Sequence, residues 1–365
     1  DTVYLNNAST GPLPARTIQA LGDFNDRRAR PHLISDDDEL AIMRRAREQA
    51  ARVIGASVSE IALQVNTSYG INLAARALPL QPGDVVVAPD REFPANVYPW
   101  MALADKGVRF EMIPCVNNLP DEDAMLRALD APGVRALTVS WVSFATGYRV
   151  DLHRLGSACR ERGIYFVVDA IQGVGCTTMD VHALAIDILA CGGQKYLLSP
   201  WGSAFAYVRE ELVRELRPTA VGWMSVRGSD DFSRLVDYDF TYHDDARRFE
   251  VVTLPYQDLV GFTESVGLLL EVGIAAVEAH VDRLVDHAVE WCRARDDVRL
   301  VTPERPTARA GIVALAPRDA GRASARLTRA GVVHSVREGT IRLAPHFYNT
   351  LDEVQLALDA IAAND

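Results

Sequence analysis

Lysine is nearly missing from this 365-residue chain: of its 38 basic residues only Lys106 and Lys195 are lysines, and all others are arginine. An amine can lose its proton when it is buried and a guanidinium cannot, so a lysine kept in such a chain marks a place where that difference matters. Other scarcities exclude whole classes. The formal charge of -11 argues against nucleic acid or an anionic membrane surface, both of which favour a basic face. No apolar run approaches the roughly 18 residues of a membrane span, and the opening DTVYLNNAST lacks the basic-then-apolar order of a signal peptide. A soluble, cytosolic protein is expected. The five cysteines, Cys115, Cys159, Cys176, Cys191 and Cys292, are odd in number, widely spaced and without C-x-x-C, so neither a disulfide framework nor a zinc site is signalled. Both G-x-G-x-x-G and the P-loop pattern are missing, which removes the standard nucleotide cradles.

What is present is an alternation. A chain of this length exceeds the roughly 250 to 300 residues at which one core stops growing, so a large domain plus a smaller one is expected. From about 60 to 210, apolar runs such as VVVAP (85–89), RFEMIP (109–114), RALTVSWV (135–142), YFVVD (165–169), DILAC (187–191) and SAFAYV (203–208) are separated by helix-length segments. Unbroken apolar runs suit strands covered on both faces, and the alternation predicts an α/β domain with a mostly parallel sheet flanked by helices. After 256 a long helical stretch, bent near Gly273, leads into GIVALAP, VVHSVRE and TIRLAP, interleaved with helices at 319–330 and 351–363. The chain thus divides into an N-terminal arm at 1–15, a large domain at 16–256 and a small C-terminal α+β domain at 257–365. Residues 217–250 read as loops between domains whose aromatics should be buried, and Asp36 to Glu39 as a solvated helix start.

Asp169 ends one apolar strand and Lys195 follows the next, with a strand-helix-strand unit between them. A parallel sheet delivers both residues to its C-terminal edge. An amine and a carboxylate there could form a salt bridge, a metal-ligand pair, or the two anchors of pyridoxal phosphate. The last also needs a phosphate cradle and an arginine for a substrate carboxylate. VNTSYGINLAARAL places Thr67, Ser68 and Gly70 where a strand passes into a helix, at its positive end, although the same residues make an ordinary cap. Phe93, after the next strand, offers a flat face for a ring. Arg342 lies on a strand before a capped helix, and its fork suits a carboxylate.

Taken in order, NTSYGINL, REFPANVYPW, VVDAIQGVG, GGQKYLLSPWG, RRFEVVTLPYQD and IRLAPHFYNTLDEV resemble the class V aminotransferase family across residues 4 to 362. These are enzymes of fold type I that use pyridoxal 5'-phosphate, among them cysteine desulfurases, isopenicillin N epimerase-like proteins and C-S lyases. The resemblance implies that Lys195 holds the cofactor and moves the α-proton, that Asp169 pairs with its ring nitrogen, and that Gln172 approaches the ring hydroxyl. Thr67 and Ser68 would hold the phosphate and Phe93 would stack on the ring, where desulfurases often carry histidine. Gln194 and Gly192 replace a phosphate-binding histidine and a serine. Thr253 would reach the partner subunit's phosphate, implying a homodimer with shared sites, and Arg342 would bind the substrate carboxylate. Lys106 is left as a solvated helix-end charge.

The same resemblance bears on the reaction. Desulfurases carry a nucleophilic cysteine on a loop just before the strand with the carboxylate arginine, whereas LTRAGVVHSVREGTIRLAP is short and has none. This disfavours a persulfide-forming desulfurase and favours β-elimination from a cysteine-type or S-conjugated L-amino acid. Transamination to a keto acid, epimerisation, and decarboxylation coupled to deamination would use the same residues. Loss of catalysis with retention of the fold is disfavoured by the intact Lys195, Asp169 and Arg342. His334 and Arg337 are expected to line the approach to the site, and Tyr196, Trp201, Trp223, Tyr242 and His243 to shape the pocket or pack between subunits.

Overall fold

The computed structural model describes residues 2–362 and shows two main sheets joined by one continuous apolar core. A short strand, β1 (Val3–Tyr4), precedes the helices α1 (Ala15–Arg28) and α2 (Asp36–Ile54). Ser35 caps α2 by accepting the Asp38 N–H while the Asp38 carboxylate accepts that of Ser35, so the acidic cluster is a helix first turn. Strands and helices then follow as β2 (Ile61–Gln64), α3 (Thr67–Ala77), β3 (Val85–Pro89), α4 (Tyr98–Met101), β4 (Arg109–Ile113), α5 (Glu122–Ala128), β5 (Val134–Ser140) and α6 (Leu152–Arg162). The large unit closes with β6 (Tyr165–Asp169), β7 (Ile188–Gly192), β8 (Ala204–Val208) and α7 (Glu210–Glu215).

Seven of these strands form a sheet in the order β2-β8-β7-β6-β5-β3-β4. All of its pairings are parallel except those of β8, which runs antiparallel to β2 and to β7. The loop between β7 and β8 is shorter than a helical crossover needs, so the chain turns straight back, and this is the loop that carries Lys195. Both faces of β3, β7 and β8 are buried, as their apolar runs predict. One expectation fails between β6 and β7. No helix forms there among residues 170–187; the chain runs in turns through Gly173 and Gly175. At Gly173 a Cβ would lie 2.2 Å from the Trp141 ring, so this connection hugs the neighbouring loop where a helix would have stood away from it.

The C-terminal part begins with α8 (Tyr256–Val272) and α9 (Ile274–Arg293), which meet at Gly273 with a bend of 79°, where the sequence places the break. Helix α8 packs on α1 and α2; Ser265 lies 2.8 Å from the Thr17 hydroxyl and donates to the Leu198 carbonyl at 2.8 Å. The remaining elements are β9 (Val298–Leu300), β10 (Val313–Pro317), α10 (Ala320–Arg329), β11 (Val332–Val333), β12 (Ser335–Arg337), β13 (Thr340–Leu343) and α11 (Leu351–Ala362). They build an antiparallel sheet in the order β12-β13-β10-β9, the smaller α+β part expected from the sequence. Strand β1 pairs in parallel with β11, which carries the N-terminal arm across to this smaller sheet. No single helix among the described residues is long and apolar enough to cross a membrane.

Residues 217–250 are irregular, as expected, but their aromatics are not all buried. Trp223 is 44% exposed, Phe240 71% and Tyr238 90%. Trp223 packs with Phe232 and Phe240 with Tyr242, and the faces that remain are open to solvent.

Candidate active site

The ends of β6 and β7 lie side by side, and Asp169 and Lys195 meet there. Lys195 sits on a loop whose backbone is fixed from several sides. Gly193 donates to the Ser203 carbonyl (2.8 Å), Ser199 to Gly193 (2.9 Å), and Gly11 of the N-terminal arm to Gln194 (2.8 Å). The buried ring of His346 holds the Tyr196 carbonyl at 2.8 Å, and the Tyr196 hydroxyl donates to Gly311 at 2.6 Å. Tyr196 is therefore a fully buried strut and does not shape a pocket wall.

Burial pulls the Lys195 amine down to about 8; the Asp169 charge opposes this and the Arg342 charge adds to it. Burial pushes Asp169 up to about 6, against the Ile171 N–H that it accepts at 3.1 Å and against the Lys195 charge. The Lys195 Nζ lies 5.5 Å from the centroid of the Phe93 ring, which meets Phe144 edge-on at 5.3 Å. A lysine so placed is readily neutral, which answers why an arginine would not serve there. Lys106, by contrast, ends an exposed helical turn, as expected.

Among the described residues, the buried Thr67 hydroxyl and Gln172 Oε1 beside this edge have no partner, as does Asn7 Oδ1 near the lysine loop. Leaving such an atom unsatisfied costs about 1 to 3 kcal/mol, so their pairing in one site calls for a ligand. Thr67 opens α3, whose Asn66 cap accepts the Tyr69 N–H at 2.9 Å. A Cβ added at Gly192 would fall 3.0 Å from the Thr67 hydroxyl and 2.6 Å from Gln194 Oε1, so Gly192 keeps open the space these two side chains face. Ser68 is exposed on the outer side of the same turn, where it lines a cavity of about 360 Å³ with Asn72 and Arg76. Gln172 is anchored by its amide, which donates to the Ala8 carbonyl at 3.0 Å, leaving its oxygen free. A hydroxyl and open space at a helix N-terminus, a free amide oxygen, a carboxylate, an amine and an aromatic face fit pyridoxal phosphate, with Asp169 for the ring nitrogen and Lys195 for the aldehyde carbon.

Arg342, 2% exposed, has no carboxylate partner among the described residues. Neutral acceptors hold it: the Ser335 hydroxyl at 3.0 Å, the Phe144 carbonyl at 2.7 Å, the Ser9 hydroxyl at 2.7 Å and the Asn6 amide oxygen at 3.4 Å. Burial lowers its pKa to about 10, so an incoming carboxylate would relieve an uncompensated cation. The N-terminal arm is the part of the site that sequence reasoning missed. Asn6 and Ser9 lie more than 300 residues from Arg342 in the chain, and no local pattern joins them. Glu92 was also missed; it accepts the Ser140 N–H at 2.7 Å beside the end of β5.

The structure does not bring every expected residue to this group. Both ring nitrogens of His334 are engaged, with the Ser324 hydroxyl at 2.8 Å and the Val332 carbonyl at 3.0 Å, so it ties β11 to α10. Thr253 is exposed in a surface cavity with Arg28, Glu39 and Tyr256. Arg337 is exposed, and its guanidinium donates to the neighbouring Val336 carbonyl at 2.9 Å. Trp201 and Trp223 face solvent, whereas His243 is buried beside Ser229.

The family model described as aminotransferase class-V matches residues 3–356. An uncharacterized aminotransferase of Bacillus subtilis is 32% identical over 319 residues, which are 87% of this chain and 82% of that protein. A probable cysteine desulfurase of Methanothermobacter thermautotrophicus is 28% identical, with 98% of this chain and 93% of the other covered. Among solved structures, the complex between the cystine C-S lyase C-DES and cysteine persulfide matches with a TM-score of 0.90 over 99% of this chain and 97% of that one. At 20% identity this last likeness is one of fold.

Proposed function

The chain belongs to the aminotransferase class-V family and is a pyridoxal-phosphate-dependent enzyme of amino-acid chemistry, and we propose that its reaction is β-elimination from a cysteine-type or S-conjugated L-amino acid. One observation carries this reading: the hairpin that carries Arg342 has no thiol. The β12–β13 hairpin contains no cysteine, Cys159, Cys176, Cys191 and Cys292 are buried with their thiols raised in pKa, chiefly by burial, and the half-buried Cys115 beside Asp90 is pushed up to about 12, again chiefly by burial. In this reading sulfur leaving Cβ departs with its own substituent, as a thiol from an S-alkylcysteine or as a persulfide from a disulfide.

When bound, the cofactor supplies an electron sink for negative charge developing at Cα. The residues of the chain do the rest. Arg342 takes the substrate carboxylate through its guanidinium fork, and Ser9, Asn6 and Ser335 fix the plane of that fork. Lys195 Nζ takes the Cα proton, for which an amine near pH 8 is well matched. The Cβ–S electron pair leaves with the sulfur as the Cα–Cβ double bond forms, and water then releases pyruvate and ammonia. Asp169 keeps its negative charge at the ring nitrogen. Phe93 offers a face without an acid or base, so proton movement falls to Lys195.

The proposed enzyme is a cytosolic homodimer. Five unpaired thiols suit a reducing compartment, and the exposed Trp201, Trp223, Tyr238 and Phe240 suit a face covered by a second copy. Exposure of Thr253 is what a residue serving the partner's cofactor requires. The reaction is tested by mass spectrometry of the protein during turnover with L-cysteine or S-alkylcysteine, alongside a Cys115→Ser variant. An unmodified chain and unchanged turnover in the variant are expected. A persulfide on any cysteine of the chain would make it a desulfurase instead.

A further inference from the structure

Glu92 has no part in the chemistry above, yet its carboxylate is the hub of a partly buried network. Oε1 accepts the Ser140 N–H at 2.7 Å, and Oε2 accepts both the Ser140 hydroxyl and the Asn96 amide, the latter at 3.1 Å. Asn96 accepts in turn from the Thr138 hydroxyl at 2.6 Å and from the Trp100 indole at 3.3 Å. Thr138 and Ser140 belong to β5, and Ser140 stands opposite Asp169 in the β5–β6 register. The next residue, Trp141, donates its N–H to the Asp169 carbonyl at 2.9 Å. Glu92 has no arginine or lysine partner among the described residues, so all of its acceptor capacity is spent on this one strand end and on its own loop.

The loop does not need that carboxylate to turn. Asn96 already donates its N–H to the Phe93 carbonyl at 2.8 Å and Val97 to Pro94 at 3.1 Å, closing the turn with backbone alone. What the backbone does not fix is where the turn sits relative to β5. Phe93, whose ring lies 5.5 Å from Lys195 Nζ, is the residue next to Glu92 and moves with that turn.

We propose that Glu92 is a positioning residue for the cofactor ring: through Ser140 and Asn96 it locks the turn bearing Phe93 to the strand end beside Asp169, holding the two groups that face the ring in fixed relation. The inference rests on the cofactor assignment at Lys195 and is independent of which reaction follows. Burial of this carboxyl, which pushes it up to about 7 against the Ser140 and Asn96 hydrogen bonds, agrees with a group kept for geometry at some electrostatic cost.

The test compares the pyridoxal-phosphate-loaded wild type with Glu92→Ala and Glu92→Gln, reading the visible circular dichroism per bound cofactor together with kcat and KM. Glu92→Ala is expected to bind cofactor stoichiometrically, lose about half or more of the visible signal and drop about tenfold in kcat with little change in KM. Glu92→Gln keeps an acceptor for the Ser140 N–H and should recover most of both. A visible signal per cofactor unchanged in Glu92→Ala, with only the melting temperature lowered, would overturn the proposal. If Glu92→Ala does not fold, Ser140→Ala removes one contact alone; a smaller loss of the visible signal supports the proposal and an unaltered signal refutes it. Because circular dichroism needs no substrate, it separates this inference from the choice between elimination and transamination.

Discussion

At the scale of single residues, the site is a set of groups whose pKa values burial moves out of their usual ranges. The folded Asp169 titrates near 6, above its ordinary 3.8, so in the cofactor-free protein it holds a proton between those values that the unfolded chain has released. Stability from this group is therefore full below about pH 4, falls as pH rises through the window to 6, and stays low above it. Asp169→Asn should stabilise the cofactor-free protein at pH 8 by an amount on the order of 1 to 3 kcal/mol, seen as a higher melting point, with the gain fading by pH 4. The same variant should bind cofactor with an altered absorbance and lose turnover. Thermal melts across pH 4 to 8 check the first half; an equal effect at both ends would place the shift elsewhere. This pairing was legible in the sequence because YFVVD and GGQKYLL attach each residue to a strand end. Glu92 was not, although it lies within REFPANVYPW, because its partner Ser140 is 48 residues away and no local pattern joins the two.

At the scale of elements, the parallel strands were legible because unbroken apolar runs admit few other readings, and β3 and β6 have the boundaries the runs have. The short strands β2 and β9 carry too few residues to show a pattern. The missing helix between β6 and β7 was misread because spacing alone suggested a crossover, while Gly173 and Gly175 already argued for turns. The N-terminal arm has no periodicity either, and its role comes from where it lies. A Cβ at Gly11 would fall 2.3 Å from the Lys195 carbonyl, so Gly11→Ala must push either the arm or the lysine loop aside. The expected outcome is a loss of about 2 kcal/mol in stability together with weaker cofactor retention on dialysis. Loss of stability with full retention would mean that the arm braces the fold without shaping the site.

At the scale of the whole molecule, apolar surface is left over. Trp223, Leu235, Tyr238 and Phe240 line a cavity of about 490 Å³ on one irregular segment, with Val236 exposed beside them, and contiguous exposed apolar side chains mark interaction surfaces. Expected to be buried, they are uncovered in one chain, in keeping with a proposed second copy. Replacing Trp223 and Tyr238 together by Asp should give a monomer in sedimentation velocity with loosened cofactor; a dimer that persists would move the interface to another face. The proposed chemistry takes place at Lys195, and the most direct measurement is an absorbance spectrum of the loaded protein before and after S-substituted cysteines, with thiol, pyruvate, ammonia and keto acid assayed and Lys195→Ala as control. A visible band that shifts with substrate and yields thiol and pyruvate in equal amounts, absent in the control, is predicted. A band converted to that of the aminated cofactor, with a matching keto acid and no thiol, would contradict it.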